Sequence, residues 1–153
     1  MDKGNSRFEW LKEYQQLDRD IKYLKWNIAK TAAESSRWTT GDLANMHVGG
    51  KDSRPAKLEK EYNRLQEELE WREKTEKDLL NLINSFDGVE NKILMKKYVN
   101  GETLEEMTYD DDMPYALSYI QKRHAELRRR LTWLDEWDEN KYEDQIIGHM
   151  QLR

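Results

Sequence analysis

Five cations fall within nine residues of this chain, at Lys122, Arg123, Arg128, Arg129 and Arg130, and Tyr115, Ser118, Tyr119 and Gln121 lead into them. The chemistry such side chains suit is ionic and hydrogen-bonding. Lysine, arginine, tyrosine and serine reach phosphate oxygens, whereas glutamine and arginine match the donor and acceptor edges of purines. Gln121, Lys122 and Arg123 are the first candidates for such contacts, followed by Arg128 to Arg130. Consecutive helical residues point 100° apart, so the arginine triplet spreads around a helix and only part of it faces one ligand. Generic solubility is the plain alternative for that triplet.

The other reactive residue types form no constellation. His47, His124 and His149 share no metal-ligand spacing. His124 is either a phosphate contact or an imidazole that packs between helices or faces water. Asp110-Asp111-Asp112 lacks the glycine and terminal glutamate of a calcium loop. There is no cysteine, so thiol catalysis, disulfides and cysteine-based zinc sites are excluded. No glycine-rich phosphate loop or nucleophile elbow occurs, and Glu67, Glu68 and Glu70 read as solvated helix charge. The expectation is a protein without catalysis, cofactor or metal.

Three predicted helical segments must position the cations. Glu90 to Val99 closes on Asn100-Gly101, a short segment Thr103 to Met107 follows, and after a break at Asp110–Pro114 an amphipathic run extends from Tyr115 to Leu134. Leu104 and Met107 are expected to anchor into a core with Ile93, Leu94, Tyr98, Leu117, Ile120, Leu127 and Leu131. That order is a helix-turn-helix, in which one helix braces and the next offers its first turns to a DNA groove.

Upstream, Trp10, Tyr14, Leu17, Ile21, Leu24 and Ile28 recur at alternating intervals of four and three, a seam along one helix. A second helix is predicted after Ser53-Arg54-Pro55, proline suiting a first helical turn. Its seam runs Leu58, Tyr62, Leu65, Leu69, Arg72, Glu76, Leu79 and Ile83, with Arg72 and Glu76 interrupting the apolar line. Neither stripe can be buried alone, so the two helices should pair as an antiparallel hairpin or with a second copy. The expected fold is therefore all-α, a long coiled-coil-like helical hairpin followed by a small helix-turn-helix bundle. The domains expected are a hairpin over 1–86 with a loop at 35–53, a helix-turn-helix domain over 87–134, and an acidic tail over 135–153.

Several features leave two readings. The loop 35–53 is a surface loop, or a docking or partly helical segment, because Trp38, Leu43 and Met46 are costly to leave in water. Ser85-Phe86-Asp87-Gly88 is a domain boundary, or a hinge if Leu79, Leu82, Ile83 and Phe86 supply the first helix of the terminal bundle. The tail frays, folds back on the basic helix or binds a partner's basic surface. Trp10, Trp26, Trp71, Trp133 and Trp137 read most simply as packing residues.

Composition fits this picture. Charged residues make up 37% of the 153 residues and mean hydropathy is −1.12, values that favour helices with wet outer faces. Six tryptophans and eight tyrosines argue against disorder. The net charge of −5 is uneven, since residues 1–86 hold 16 basic and 16 acidic groups, 87–134 hold 8 and 9, and 135–153 hold 2 and 6. No apolar run is long enough to span a bilayer and the N-terminus lacks a secretory apolar region, so a cytoplasmic protein is expected.

Residues 79–134 resemble two related groups. Leu79-Leu80-Asn81-Leu82-Ile83, then Ile93-Leu94-Met95-Lys96-Lys97-Tyr98-Val99-Asn100-Gly101-Glu102-Thr103-Leu104-Glu105-Glu106-Met107, and Ile120-Gln121-Lys122-Arg123-His124-Ala125-Glu126-Leu127 carry the likeness. The stretch resembles sigma factor region four and, more closely, phage-encoded late-gene transcriptional activators of the RinA and ArpU type. The resemblance implies a promoter-reading regulator that binds double-stranded DNA and works in the host bacterial cytoplasm, with a hairpin that either mediates homodimerisation or holds RNA polymerase. The alternative is a non-enzymatic protein-binding module on a sigma-like scaffold, directed at RNA polymerase, a packaging protein or a host defence factor. The chain departs from the pattern at Tyr109-Asp110-Asp111-Asp112-Met113-Pro114-Tyr115-Ala116, a turn about two residues longer than usual. Three carboxylates there would repel phosphates unless they turn away.

Overall fold

The computed structural model describes residues 6–41 and 53–151, with side chains as far as residue 138. The chain is all-α. Its elements are α1 (Arg7–Lys12), α2 (Tyr14–Thr39), α3 (Arg54–Asn84), α4 (Gly88–Leu94), a π-helical turn Met95–Val99, α5 (Leu104–Met107) and α6 (Leu117–Gln151). Two compact units divide it, one from Gln16–Asp78 and the other from the described residues of Met1–Gln15 with Leu79–Arg153.

The Gln16–Asp78 unit is a pair of helices whose stripes bury Leu17, Ile21, Leu24, Leu58, Leu65 and Leu69. Ion pairs give the direction. Arg72 lies 3.7 Å from Asp20 near one end, and Arg54 Nε donates to Glu34 at 3.0 Å near the other, so the helices run antiparallel. The Arg72–Glu76 interruption sits inside this seam. Arg72 also pairs with Glu68 at 2.9 Å, yet its Nε and Glu76 Oε2 are buried without a hydrogen-bond partner among the described residues. Burial, then the neighbouring Asp18, raises the Glu76 carboxyl above the ordinary glutamate value. The expected loop begins later than 35, because α2 continues to Thr39, while Leu43 and Met46 lie outside the described residues. Ser53 Oγ accepts from Ala56 N at 3.3 Å, which caps the start of α3 ahead of Pro55.

The other unit gathers segments distant in sequence. Leu11, Leu79, Ile83, Ile93, Leu94, Met107, Met113, Ile120, Leu127 and Leu131 are all at most 1% exposed, and they form its centre. Three details differ from the sequence expectation. The compact unit includes α1 and the end of α3, not residues 87–134 alone, since Trp10, Leu11, Leu79, Ile83 and Phe86 are buried in it. Met113, set in an acidic turn, is fully buried, whereas Leu104 and Leu117 are half-buried. The segment 135–151 is no separate tail, because α6 runs without a break to Gln151.

Local chemistry sets the stops between these helices. The π turn ends on Gly101 at φ +77°, a left-handed conformation in which a Cβ would also strike the Gln15 side chain. Glu102 N then donates to Lys96 O at 2.8 Å. Thr103 caps α5 by accepting from Glu106 N at 3.1 Å, with Glu105 and Glu106 in the favourable first turn. Among the described residues no helix is long and apolar enough to cross a membrane.

Candidate nucleic-acid interface

The register of α6 follows from its buried positions. Ile120, Leu127 and Leu131 face the core, so residues near 118, 122, 125, 129 and 132 point the opposite way. Ser118, Gln121, Lys122, Arg128 and Arg129 are exposed. Glu126 is the single carboxylate between Ser118 and Thr132, and it is turned to Arg123 at 3.3 Å. Lys122 and Arg129 have no ion pair among the described residues. Ala125, Arg128, Arg129 and Thr132 line an open depression on this side of the helix.

The remaining candidates are less available. Tyr115 is half-buried and its ring stacks on Tyr119 at 4.9 Å between centroids. Tyr119 Oη accepts from Arg123 Nε at 3.2 Å, and the Arg123 guanidinium lies 5.5 Å from that ring. Glu90 of α4 takes Arg130 at 2.7 Å and also lies 3.8 Å from Arg123. Arg130 further covers Phe86, 5.1 Å from its ring. Arg128 is exposed but sits 4.5 Å over the Phe8 ring. The five cations therefore separate into three groups, with Lys122 and Arg129 facing solvent, Arg123 and Arg130 held by Glu90 of α4, and Arg128 laid over Phe8 of α1.

The aspartate turn resolves differently from the repulsion expected of three carboxylates. Lys96 Nζ lies 3.0 Å from Asp110 and 2.9 Å from Asp112, and Lys92 Nζ donates to the Asp112 carbonyl at 3.1 Å. These contacts raise the Lys96 ammonium above the ordinary lysine value, Asp112 first and Asp110 next. Lys96 in turn lowers both carboxyls. Glu102 is shifted upward by the neighbouring Asp110 carboxyl and then by burial. Only Asp111 of the triplet is left fully exposed without an ion pair among the described residues.

His124 belongs to the packing of the unit. Burial, followed by the charges of Lys97 and Arg128, pushes its pKa down to about 4, so the ring is neutral near pH 7. Burial raises the Tyr98 hydroxyl above its ordinary value. Tyr98 Oη and His124 Nε2 share a hydrogen bond of 2.7 Å, whose direction is set by the histidine tautomer. Phe8 meets Tyr98 edge-on at 6.0 Å, which closes the cluster from the α1 side.

Sequence reasoning missed the carboxylates that arrange this surface. Glu90 organises two arginines of α6, and Arg7 of α1 is clasped by Asp135 and Asp138, with Arg7 N also donating to Asp135 Oδ2 at 3.2 Å. Separations of 40 and 128 residues leave no local pattern for such pairs. Reading the tryptophans as packing residues holds only for Trp10. Trp26, Trp71, Trp133 and Trp137 are 56%, 50%, 58% and 47% exposed. Among the described residues no group of three or more histidines and carboxylates could hold a metal ion. No protein-family model, no curated protein and no solved structure matches the chain.

Proposed function

We propose that this chain is a phage-type DNA-binding transcriptional regulator that reads a promoter through its C-terminal helix-turn-helix. In this reading α5 is the bracing helix, α6 enters the major groove of double-stranded DNA, and the long helical hairpin serves homodimerisation or holds RNA polymerase in the host cytoplasm. The observation that carries the reading is the outward side of α6 from Ser118 to Thr132, where Lys122 and Arg129 stand with Ser118 and Gln121 and the one carboxylate is turned to Arg123. The engagement of Asp110 and Asp112 by Lys96 supports it by reducing the repulsion that an acidic turn would exert on phosphates. The resemblance of residues 79–134 to late-gene activators supplies the promoter.

The test is a mobility-shift titration of the full chain against genomic fragments, repeated over a range of salt. Replacing Lys122 and Arg129 by alanine is expected to weaken binding and to flatten the salt dependence by about 0.9 in log–log slope per lost phosphate contact. Unchanged affinity in a variant of native helicity rules the reading out. The second reading, a protein-binding module on a sigma-like scaffold, is favoured by the neighbouring surface. There Glu90 holds Arg123 and Arg130, and the Trp133 and Trp137 rings stack 6.4 Å apart while largely exposed.

A further inference from the structure

We propose that the outward face of α2 is a docking surface for an acidic helical segment of a partner protein. This surface lies in the Gln16–Asp78 unit and is independent of DNA binding by α6. The buried stripe Leu17, Ile21, Leu24 fixes the opposite side of the helix as solvent-facing, and there the 100° register places Arg19, Lys22, Tyr23, Trp26 and Lys30. They span about 17 Å at 1.5 Å per residue.

Tyr23 and Trp26 are 63% and 56% exposed. Their rings lie 5.9 Å apart at 31°, and Lys30 Nζ sits 5.2 Å from the Trp26 ring. Of the carboxylates on α2, Asp20 is directed to Arg72 and Glu34 to Arg54. Asp18 reaches Lys22 at 3.0 Å from the flank. The result is an aromatic pair bordered by cations along one helix.

That pattern has the anatomy of a protein interface, in which exposed tryptophan and tyrosine anchors sit inside a charged rim. The charge selects an acidic partner, and the row of side chains along one helix suits a partner helix that sets an apolar side chain against Trp26 with carboxylates on either side. A nucleic acid is disfavoured by shape. Single strands are held in grooves that let successive bases stack, whereas this face is the convex side of one helix. A duplex would bring phosphates against the uncharged aromatic pair.

The experiment uses the full chain and, as the probe, a fluorescent glutamate-rich helical peptide with leucine at every third or fourth position. The peptide should bind, and Trp26→Ala and Lys30→Glu should each weaken it at least tenfold with helicity unchanged, whereas the Lys122 and Arg129 alanine variant should bind it as the wild type does. Absence of peptide binding, or binding indifferent to both α2 variants, overturns the proposal. So does preferential binding of a single-stranded oligonucleotide that the same variants abolish. Concentration-dependent self-association lost in Trp26→Ala overturns it as well, since the occupant would then be a second copy of this chain. Failure of α6 to bind DNA leaves these outcomes unaffected.

Discussion

The two compact units solve the burial problem to different depths. In the Gln16–Asp78 unit the buried seam leucines and isoleucine keep a margin of exposure, from 4% at Ile21, Leu58 and Leu65 to 9% at Leu69, and the seam residues Ile28 and Tyr62 are only half-buried. In the other unit, ten side chains fall to 1% or less. A two-helix seam encloses a side chain from one facing helix, whereas Ile120 and Leu127 lie at the centre of a unit built from α1, the end of α3, α4, α5 and α6. Enclosure on several sides leaves little room for relaxation after truncation, so the same leucine should be worth more there.

The first prediction tests that contrast directly. Leu127→Ala should cost about 2–5 kcal/mol, and Leu65→Ala should fall at or below about 2 kcal/mol because its site can collapse. Denaturant unfolding with amide exchange resolved by unit would measure both, and equal costs would break the comparison. Gly101→Ala should cost about 1–2 kcal/mol in the many-sided unit, through the left-handed φ of +77°. No position in the described part of the two-helix unit has a positive φ, and a stability change confined to α4–α6 is the expected signature.

Acidification should change the stability of the two units in opposite directions. His124 has its folded pKa lowered to about 4 from an ordinary 6.5. The unfolded chain therefore takes up the proton first, and stability present above pH 6.5 is lost as pH falls towards 4. Glu76 has its folded pKa raised by burial. It gives the opposite sign, because the ionised form is the one the fold penalises, so lowering the pH through its titration relieves the two-helix unit. Tyr98→Phe should remove the His124 hydrogen bond without altering the Glu76 effect, and a pH series of unit-resolved exchange distinguishes the two. A common pH response in both units would contradict these assignments.

The smallest expected effect is at Glu90. Glu90→Gln should change stability by less than about 1 kcal/mol, since its partners Arg123 and Arg130 are substantially exposed. Under the proposed DNA-binding reading it should nevertheless strengthen binding of DNA by the full chain, because two cations on α6 are released. A mobility shift weaker than that of the wild type would mean Glu90 orients those arginines for binding.

Much of the helical layout was legible because helical periodicity is a local property. The seams at Leu17, Ile21 and Leu24, at Leu58, Leu65 and Leu69, and at Ile120, Leu127 and Leu131 are buried as their spacing predicts. The proline after Ser53, the glycine at 101 and the threonine at 103 mark helix ends through their own backbone and capping chemistry. Exposure of Gln121, Lys122 and Arg129 also followed from register once Ile120 was placed inside. The burial of Met113 had no such signal, because its neighbours are charged and its enclosure depends on distant segments.

The sequence by itself determined the all-α class, the apolar stripes and the location of the cationic stretch, since each depends on residue type and on a period of three to four positions. Tertiary structure alone decided which cations remain in water. Glu90 reaches Arg130 across 40 positions and Lys96 engages the aspartate turn across 14, and those distances depend on how separate helices pack. It also decided that Trp10 is enclosed while Trp26 and Trp133 are exposed. Hydrophobicity drives an aromatic towards any available surface, but only the arrangement of neighbouring helices determines whether that surface is present.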